Sequence, residues 1–261
     1  MEIGGEDVVA KLKVCPVQGR QLLDVRPEDI YGDFRICNTY RGGGVYDEFP
    51  NIALKRGMVK EYSKGNPGMQ FVVQLYGCHL RCPYCYVTKD GIYGRYVEYT
   101  TDDIVKKFLS ARKEVDVGVL HMMGGAPALW MEQWQYVPRE IGPYYLFHSD
   151  LLLTEGNYDV RVLKRIATDN ALYAIGIKGV TEEDYFNNTG RPLNWNMLLS
   201  NMDKVVDSGI NYYITFTNPD KDAIDKFIDM MVDRYGIEVM DDSFVIDLKD
   251  YDAVKEAGAW D

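Results

Sequence analysis

The sequence predicts an α/β fold, a curved, mostly parallel sheet built from alternating strands and helices. Three observations carry this expectation. From Met69 onward, apolar runs of strand length alternate with amphipathic stretches of helical length. Glycine, proline and capping residues punctuate the junctions. The 261 residues, 46% of them hydrophobic, suffice for one large domain with a substantial core. Five or six strand–helix units with right-handed crossovers predict a partial barrel or a strongly curved open sheet.

Met1–Pro67 reads as an irregular lead-in with Gly42-Gly43-Gly44, scattered prolines and mixed charge, so short elements and loops are expected. Gly65-Asn66-Pro67-Gly68 signals a turn and a boundary. Residues 1–68 are thus an N-terminal extension, a candidate cover for a cleft in the core. Residues 69–261 are the barrel core with C-terminal helices.

Met69–Tyr76 is an apolar strand. Thr101 or Asp102 caps a helix to about Glu114, with Ile104, Val105, Phe108 and Leu109 as its apolar face. Val117–Met123 is a buried strand ended by Gly124-Gly125. A helix over Leu129–Tyr136 precedes Pro138. Tyr144–Leu153 is the third strand, closed by Thr154-Glu155-Gly156-Asn157. Tyr158–Ala167 is helical and Ala171–Lys178 extended. Thr181-Glu182-Glu183-Asp184 starts a helix. Asn194–Ser208 is a helix stopped by Gly209, and Ile210–Thr217 a strand. Asp220–Tyr235 is amphipathic, with Ile224, Phe227, Ile228 and Met231 on one face, and Gly236 stops it. Ile237–Ile246 holds a last short strand.

The formal net charge of −11 argues against general nucleic-acid binding, which needs a cationic surface. No apolar run is long enough to span a bilayer, and Met1–Ala10 lacks a signal pattern, so a cytoplasmic protein is expected. Five cysteines, three of them within eight residues, do not form a secreted disulfide framework. Cys15 and Cys37 stand apart and read as free thiols or as approaches to another site.

Cys78, Cys82 and Cys85 lie in Tyr76-Gly77-Cys78-His79-Leu80-Arg81-Cys82-Pro83-Tyr84-Cys85-Tyr86, spaced C-x3-C-x2-C. The loop leaves the carboxyl end of the first core strand, where parallel α/β folds place reactive groups. Three thiolates suit a [4Fe–4S] cluster with one iron unligated by protein. Zinc is the rival, with His79 as fourth ligand in a structural or interaction module. His79 directly follows Cys78, which favours packing or an outer hydrogen bond over ligation. Arg81 is placed to meet a cluster sulfur or a carboxylate, or solvent.

Cys78-His79-Leu80-Arg81-Cys82-Pro83-Tyr84-Cys85 resembles the cluster motif of the radical S-adenosylmethionine (radical SAM) superfamily, in which an aromatic residue usually precedes the third cysteine. Tyr84 fits and is assigned to the cofactor site. The resemblance implies a partial (β/α)6 TIM-like barrel. It implies that the three cysteines hold a [4Fe–4S] cluster whose open iron chelates S-adenosylmethionine. One electron, from a donor such as flavodoxin or ferredoxin, then yields methionine and a 5′-deoxyadenosyl radical that removes a hydrogen atom from substrate.

Gly124-Gly125-Ala126-Pro127 resembles that family's GGEP segment, which binds the methionine amino group. Ala126 replaces the usual acidic residue, so backbone carbonyls carry this contact. Thr154-Glu155-Gly156-Asn157 resembles the T-N-G turn of glycyl-radical-enzyme activases, making Ser149 and Thr154 candidates for cofactor contacts. Ala174–Gly179 resembles their D-x-K strand. Lys178 matches the lysine, and Gly176 stands where the acidic residue is expected. The resemblance covers about Met69 to Asn218. The substrate it implies is a glycyl-radical protein, a peptide or a small metabolite, with Tyr40, Arg41, Tyr46 and Arg56 as candidate contacts from the extension.

Overall fold

The computed structural model describes residues 10–17, 26–38, 48–58, 65–85 and 87–248. The expected contacts Tyr40, Arg41 and Tyr46 lie outside the described residues.

The lead-in holds the short elements expected of it: β1 (Lys11–Val14), β2 (Ile30–Tyr31), β3 (Phe34–Asn38) and α1 (Glu48–Lys55). β3 pairs antiparallel with β4 (Asn66–Gln74), so it extends the main sheet. β4 begins inside the expected turn, and a register shift between Asn66 and Gln70 absorbs the glycine and proline there. After the cysteine loop come α2 (Lys89–Tyr93) and β5 (Val97–Thr100), which pairs antiparallel with β1 in a separate two-stranded sheet.

In α3 (Thr101–Glu114) the cap is Thr100, one residue earlier than expected, in a reciprocal capping box with Asp103. Ile104, Val105, Phe108 and Ala111 are buried. Leu109 falls at the edge of the stripe and is exposed. β6 spans Val117–Met123, as expected. The single helix expected over Leu129–Tyr136 is instead a 3₁₀ turn, Pro127–Trp130, followed by α4 (Met131–Trp134) and α5 (Val137–Glu140). Pro138 lies in the first turn of α5, where its missing N–H leaves no bond unmade, so it starts a helix.

β7 (Leu146–Leu151) is shorter than expected at both ends. The remaining units follow the sequence closely: α6 (Val160–Ile166), β8 (Ala171–Ile177), α7 (Glu182–Thr189), α8 (Trp195–Ser208), β9 (Tyr212–Thr217), α9 (Lys221–Tyr235) and β10 (Phe244–Ile246). Asp159, Thr181, Asn194 and Asp220 cap the four helices, each accepting from a backbone N–H one turn on.

Among the described residues, eight strands form one sheet in the order β10-β9-β8-β7-β6-β4-β3-β2. The run from β4 through β10 is parallel, as a partial TIM-like barrel requires. One face of the strands packs under the helices. Phe71, Leu120, Phe147, Tyr173 and Ile214 meet Phe108, Trp134, Leu163, Met202 and Phe227 there. Each such buried side chain contributes roughly 1.5–3 kcal/mol. The inner face is different in kind. It carries Gln70, Gln74, His121, His148 and Thr215, all buried.

The lead-in helix α1 seats Phe49, Ile52 and Ala53 against Val119, Leu146, Leu172 and Tyr213, toward the amino ends of the strands. Arg56 also binds at that end. It donates to the Tyr212 carbonyl at 2.7 Å and to Asp242 at 2.9 Å. This expected substrate contact therefore sits away from the cysteine loop.

Candidate active site

β4 ends at Gln74, and a ladder of backbone hydrogen bonds carries the chain from there into the cysteine loop. Leu75 donates to the Met123 carbonyl (2.8 Å), Tyr76 to Lys13 (2.9 Å) and Gly77 to Ile92 (2.9 Å). Farther on, Arg81 donates to Thr189 (2.7 Å) and Cys85 to Cys82 (3.1 Å). The loop is thus clamped from β1, β6, α2 and α7 before any ligand contributes.

The Gly124–Pro127 segment is fastened to the same loop. Ala126 donates its N–H to the Gly77 carbonyl at 2.8 Å, and the Trp130 indole donates to the Tyr76 carbonyl at 2.7 Å. Gly124 and Gly125 have φ of +69° and +47°, and each abuts β4 or the loop. A Cβ on Gly124 would overlap the Gln74 amide, and one on Gly125 would stand 2.4 Å from the Gly77 oxygen.

One cavity at the carboxyl edge of the sheet gathers most of the expected residues. Cys78, Cys82, Tyr84, Cys85, Gly124, Gly125, Pro127 and Lys178 all line it, among apolar walls that include Leu80, Ile92, Leu152 and Ile246. Lys178 donates to Thr217 at 3.1 Å and stands 5.8 Å from the Tyr84 ring centre. Three expected residues do not line the cavity. Ala126 is fully buried beside it. Ser149 is fully buried and alternates with His148 and Asp150, so it points with Phe147 and Leu151 toward the helix layer. Thr154 shares a 2.7 Å hydrogen bond with the Tyr185 hydroxyl.

Asp150 and Thr215, absent from the expectation, line the cavity. Glu155, also missed, is buried at 1% exposure. One of its oxygens lies 4.0 Å from the Cys78 sulfur and the other 3.0 Å from His79 Nδ1. The Glu155 carboxylate beside it raises the His79 pKa and holds the ring toward Glu155. Arg81 binds the carbonyls of Cys78 (3.1 Å) and Leu80 (2.8 Å) and the Tyr93 hydroxyl, so it braces the loop backbone. Cys15 and Cys37 are buried and form no disulfide among the described residues.

Burial pushes all three cavity thiols up. Cys85 reaches about 12, with Cys82 as the second cause. In Cys78 the Glu155 carboxylate adds to burial, and in Cys82 Lys178 opposes it. Left as bare thiols they stay protonated at neutral pH, and a bound metal centre would supply the charge that makes them thiolates.

Three thiol donors on the wall of one cavity fit a metal centre or cluster that takes sulfur ligands. Beside it, both polar side-chain atoms of Gln74 are buried and lack a hydrogen-bond partner among the described residues, next to Gly124. This amide stands behind Gly124, which lines the cavity.

A partial α/β barrel that delivers three thiols and a glycine-rich turn to one cavity defines a class of cofactor-dependent barrel proteins. Residues 72–232 match the family described as the radical SAM superfamily, and the chain belongs to that superfamily. Among solved structures, SuiB of Streptococcus suis bound to precursor peptide SuiA is similar, with 12% identity and a TM-score of 0.53. The match covers 77% of this chain and 43% of SuiB. SuiB bound to S-adenosylmethionine gives 13% identity and a TM-score of 0.50, over 78% of this chain and 43% of SuiB. At these identities the likeness is one of fold, and this chain spans less than half the length of SuiB. No curated protein sequence matches.

Proposed function

We propose that this chain is a radical SAM enzyme of the activase-like type, with a [4Fe–4S] cluster held by Cys78, Cys82 and Cys85 and S-adenosylmethionine bound beside it. The observation that carries the reading is the convergence of the three thiols, Gly124-Gly125 and Lys178 on one mostly apolar cavity. When bound, the cluster and S-adenosylmethionine supply a 5′-deoxyadenosyl radical that removes a hydrogen atom from a glycyl-radical protein, a peptide or a small metabolite.

The chain's own residues bind, orient and shield. Lys178 offers a cation to a carboxylate at the carboxyl end of β8. The carbonyls of the Gly124–Pro127 turn accept from an ammonium, a task the apolar Ala126 side chain leaves to the backbone. Leu80, Ile92, Leu152 and Ile246 exclude water, which protects a reactive species from quenching. Arg81 and Trp130 hold the loop so that the thiols keep their spacing. An electron donor such as flavodoxin or ferredoxin is the partner this chemistry needs. Among the described residues no helix is long and apolar enough to cross a membrane.

Anaerobic reconstitution with iron and sulfide tests the reading. Brown protein with a broad visible absorbance that dithionite bleaches supports it. Colourless protein holding one zinc ion on the cysteines contradicts it. Incubation with S-adenosylmethionine, dithionite and cell extract, followed by mass spectrometry, then separates the three substrate classes.

A further inference from the structure

Deeper in the barrel, the inner face places two imidazoles and a carboxylate on adjacent strands. His121 on β6 and His148 on β7 are register partners. Asp150 stands two residues beyond His148, on the same face of β7. One ligand atom from each lies within 4.8 Å of the other two, and no other trio of His, Cys, Asp or Glu among the described residues gathers so closely. We propose that His121, His148 and Asp150 form a mononuclear site for a divalent transition-metal ion of the zinc or iron(II) class.

The donor set suits that class, since imidazole and carboxylate together bind zinc and non-haem iron(II). The surroundings supply what metal-binding histidines use, a partner for the second ring nitrogen. The Gln70 side-chain oxygen lies 2.7 Å from His121 Nδ1, and the Gln70 amide donates to the Cys37 sulfur at 3.5 Å. Gln70 is therefore held with its oxygen toward the ring, which puts the proton on Nδ1 and makes Nε2 the nitrogen that would bind an ion. His148 Nε2 lies 3.0 Å from the Tyr213 hydroxyl, which holds the second ring in place.

The two rings lie 4.3 Å apart and tilted by 70°, and Phe49 packs 4.3 Å from His148. Bond lengths of about 2.0–2.2 Å require the three donors to draw closer than they stand here. Asp150 also lines the cavity that holds the cysteine loop. An ion here would thus offer its open position to that cavity, where a water or an oxygen donor of the substrate would take it. The buried Arg35 lies in the same row, through Val72, and its charge opposes a cation, which the charge of an Asp150 ligand would have to offset.

The test uses tag-free full-length protein with Cys78, Cys82 and Cys85 replaced by serine, so that the site is read without any cluster metal. Equilibrium dialysis against zinc, with metal analysis, should give one ion per chain. Cobalt(II) should give weak visible bands of nitrogen and oxygen coordination. Asp150→Asn should weaken binding at least tenfold, and Gln70→Leu by about 10–100-fold through the loss of the outer partner. Circular dichroism establishes that each variant is folded. His148→Gln should abolish uptake, and if it fails to fold, Asp150→Asn decides. Absence of stoichiometric uptake by the folded parent, or uptake unchanged in Asp150→Asn, overturns the proposal. Neither result bears on the cysteine loop, so the two assignments fail separately.

Discussion

Gly125 packs so tightly on Gly77 that an added Cβ would meet the Gly77 carbonyl oxygen at 2.4 Å and the Leu75 oxygen at 2.6 Å. The glycine-rich turn and the cysteine loop are therefore one mechanical unit. Gly125→Ala should destabilise the fold by about 1–3 kcal/mol, from strain at positive φ together with the clash. It should also lower the iron bound per chain after reconstitution. Thermal unfolding and iron analysis check the two effects.

Trp130 ties the same unit from the other side through its 2.7 Å hydrogen bond to Tyr76. Trp130→Phe keeps most of the ring and removes the donor. The expected loss is about 1 kcal/mol, rising toward about 3 if the Tyr76 carbonyl is left without water. Urea unfolding should show a lower midpoint with an unchanged slope.

The strand–helix alternation was legible because caps and apolar runs are local signals. Thr181, Asn194, Asp220 and Gly209 mark element ends in the folded chain as they do in the sequence. The cavity residues were legible where chemistry is written in spacing, as in Cys78, Cys82 and Cys85, or at strand ends, as in Gly124 and Lys178. Asp150 and Glu155 were not. Each sits next to a residue that was singled out, Ser149 and Thr154; alternation along β7 turns Asp150 inward, whereas Glu155 lies in the turn beyond the strand, where no alternation applies. The inner belt of Gln70, His121, His148 and Tyr213 joins four strands, and no local pattern announces such a meeting.

Lys178 is the cation at the cavity's edge, and its only side-chain hydrogen bond described is to Thr217. Lys178→Met should preserve the fold and weaken S-adenosylmethionine binding to reconstituted protein by roughly 10–100-fold, the worth of a charge-assisted hydrogen bond. Equilibrium dialysis measures it. Unchanged affinity would remove Lys178 from the cofactor site.

The chain has three histidines, and two of them set its response to acid. Burial, then Arg35, brings His121 down to about 3, and burial, then His121, takes His148 well below the ordinary value. Unfolded imidazoles take up protons near pH 6.5. Below that pH the unfolded chain binds more protons than the folded one, so stability falls as pH falls. Each of the two contributes up to about 1.4 kcal/mol per pH unit. His79 acts the other way. Its raised pKa gives stability that is full below 6.5 and lost as pH rises through the folded value. Between pH 6.5 and about 5, in metal-free protein, the urea midpoint should therefore decline. The slope should be shallower in a folded His148→Gln variant.

The central claim is that the cysteine loop makes S-adenosylmethionine reactive. The direct measurement is 5′-deoxyadenosine formed by anaerobically reconstituted protein given S-adenosylmethionine and dithionite, compared with Cys82→Ala treated identically. Reductant-dependent 5′-deoxyadenosine is expected from the native chain, and none above background from the variant, which should also fail to assemble the cluster. Equal cleavage by both proteins, or none by native protein carrying its full complement of iron, would contradict the claim.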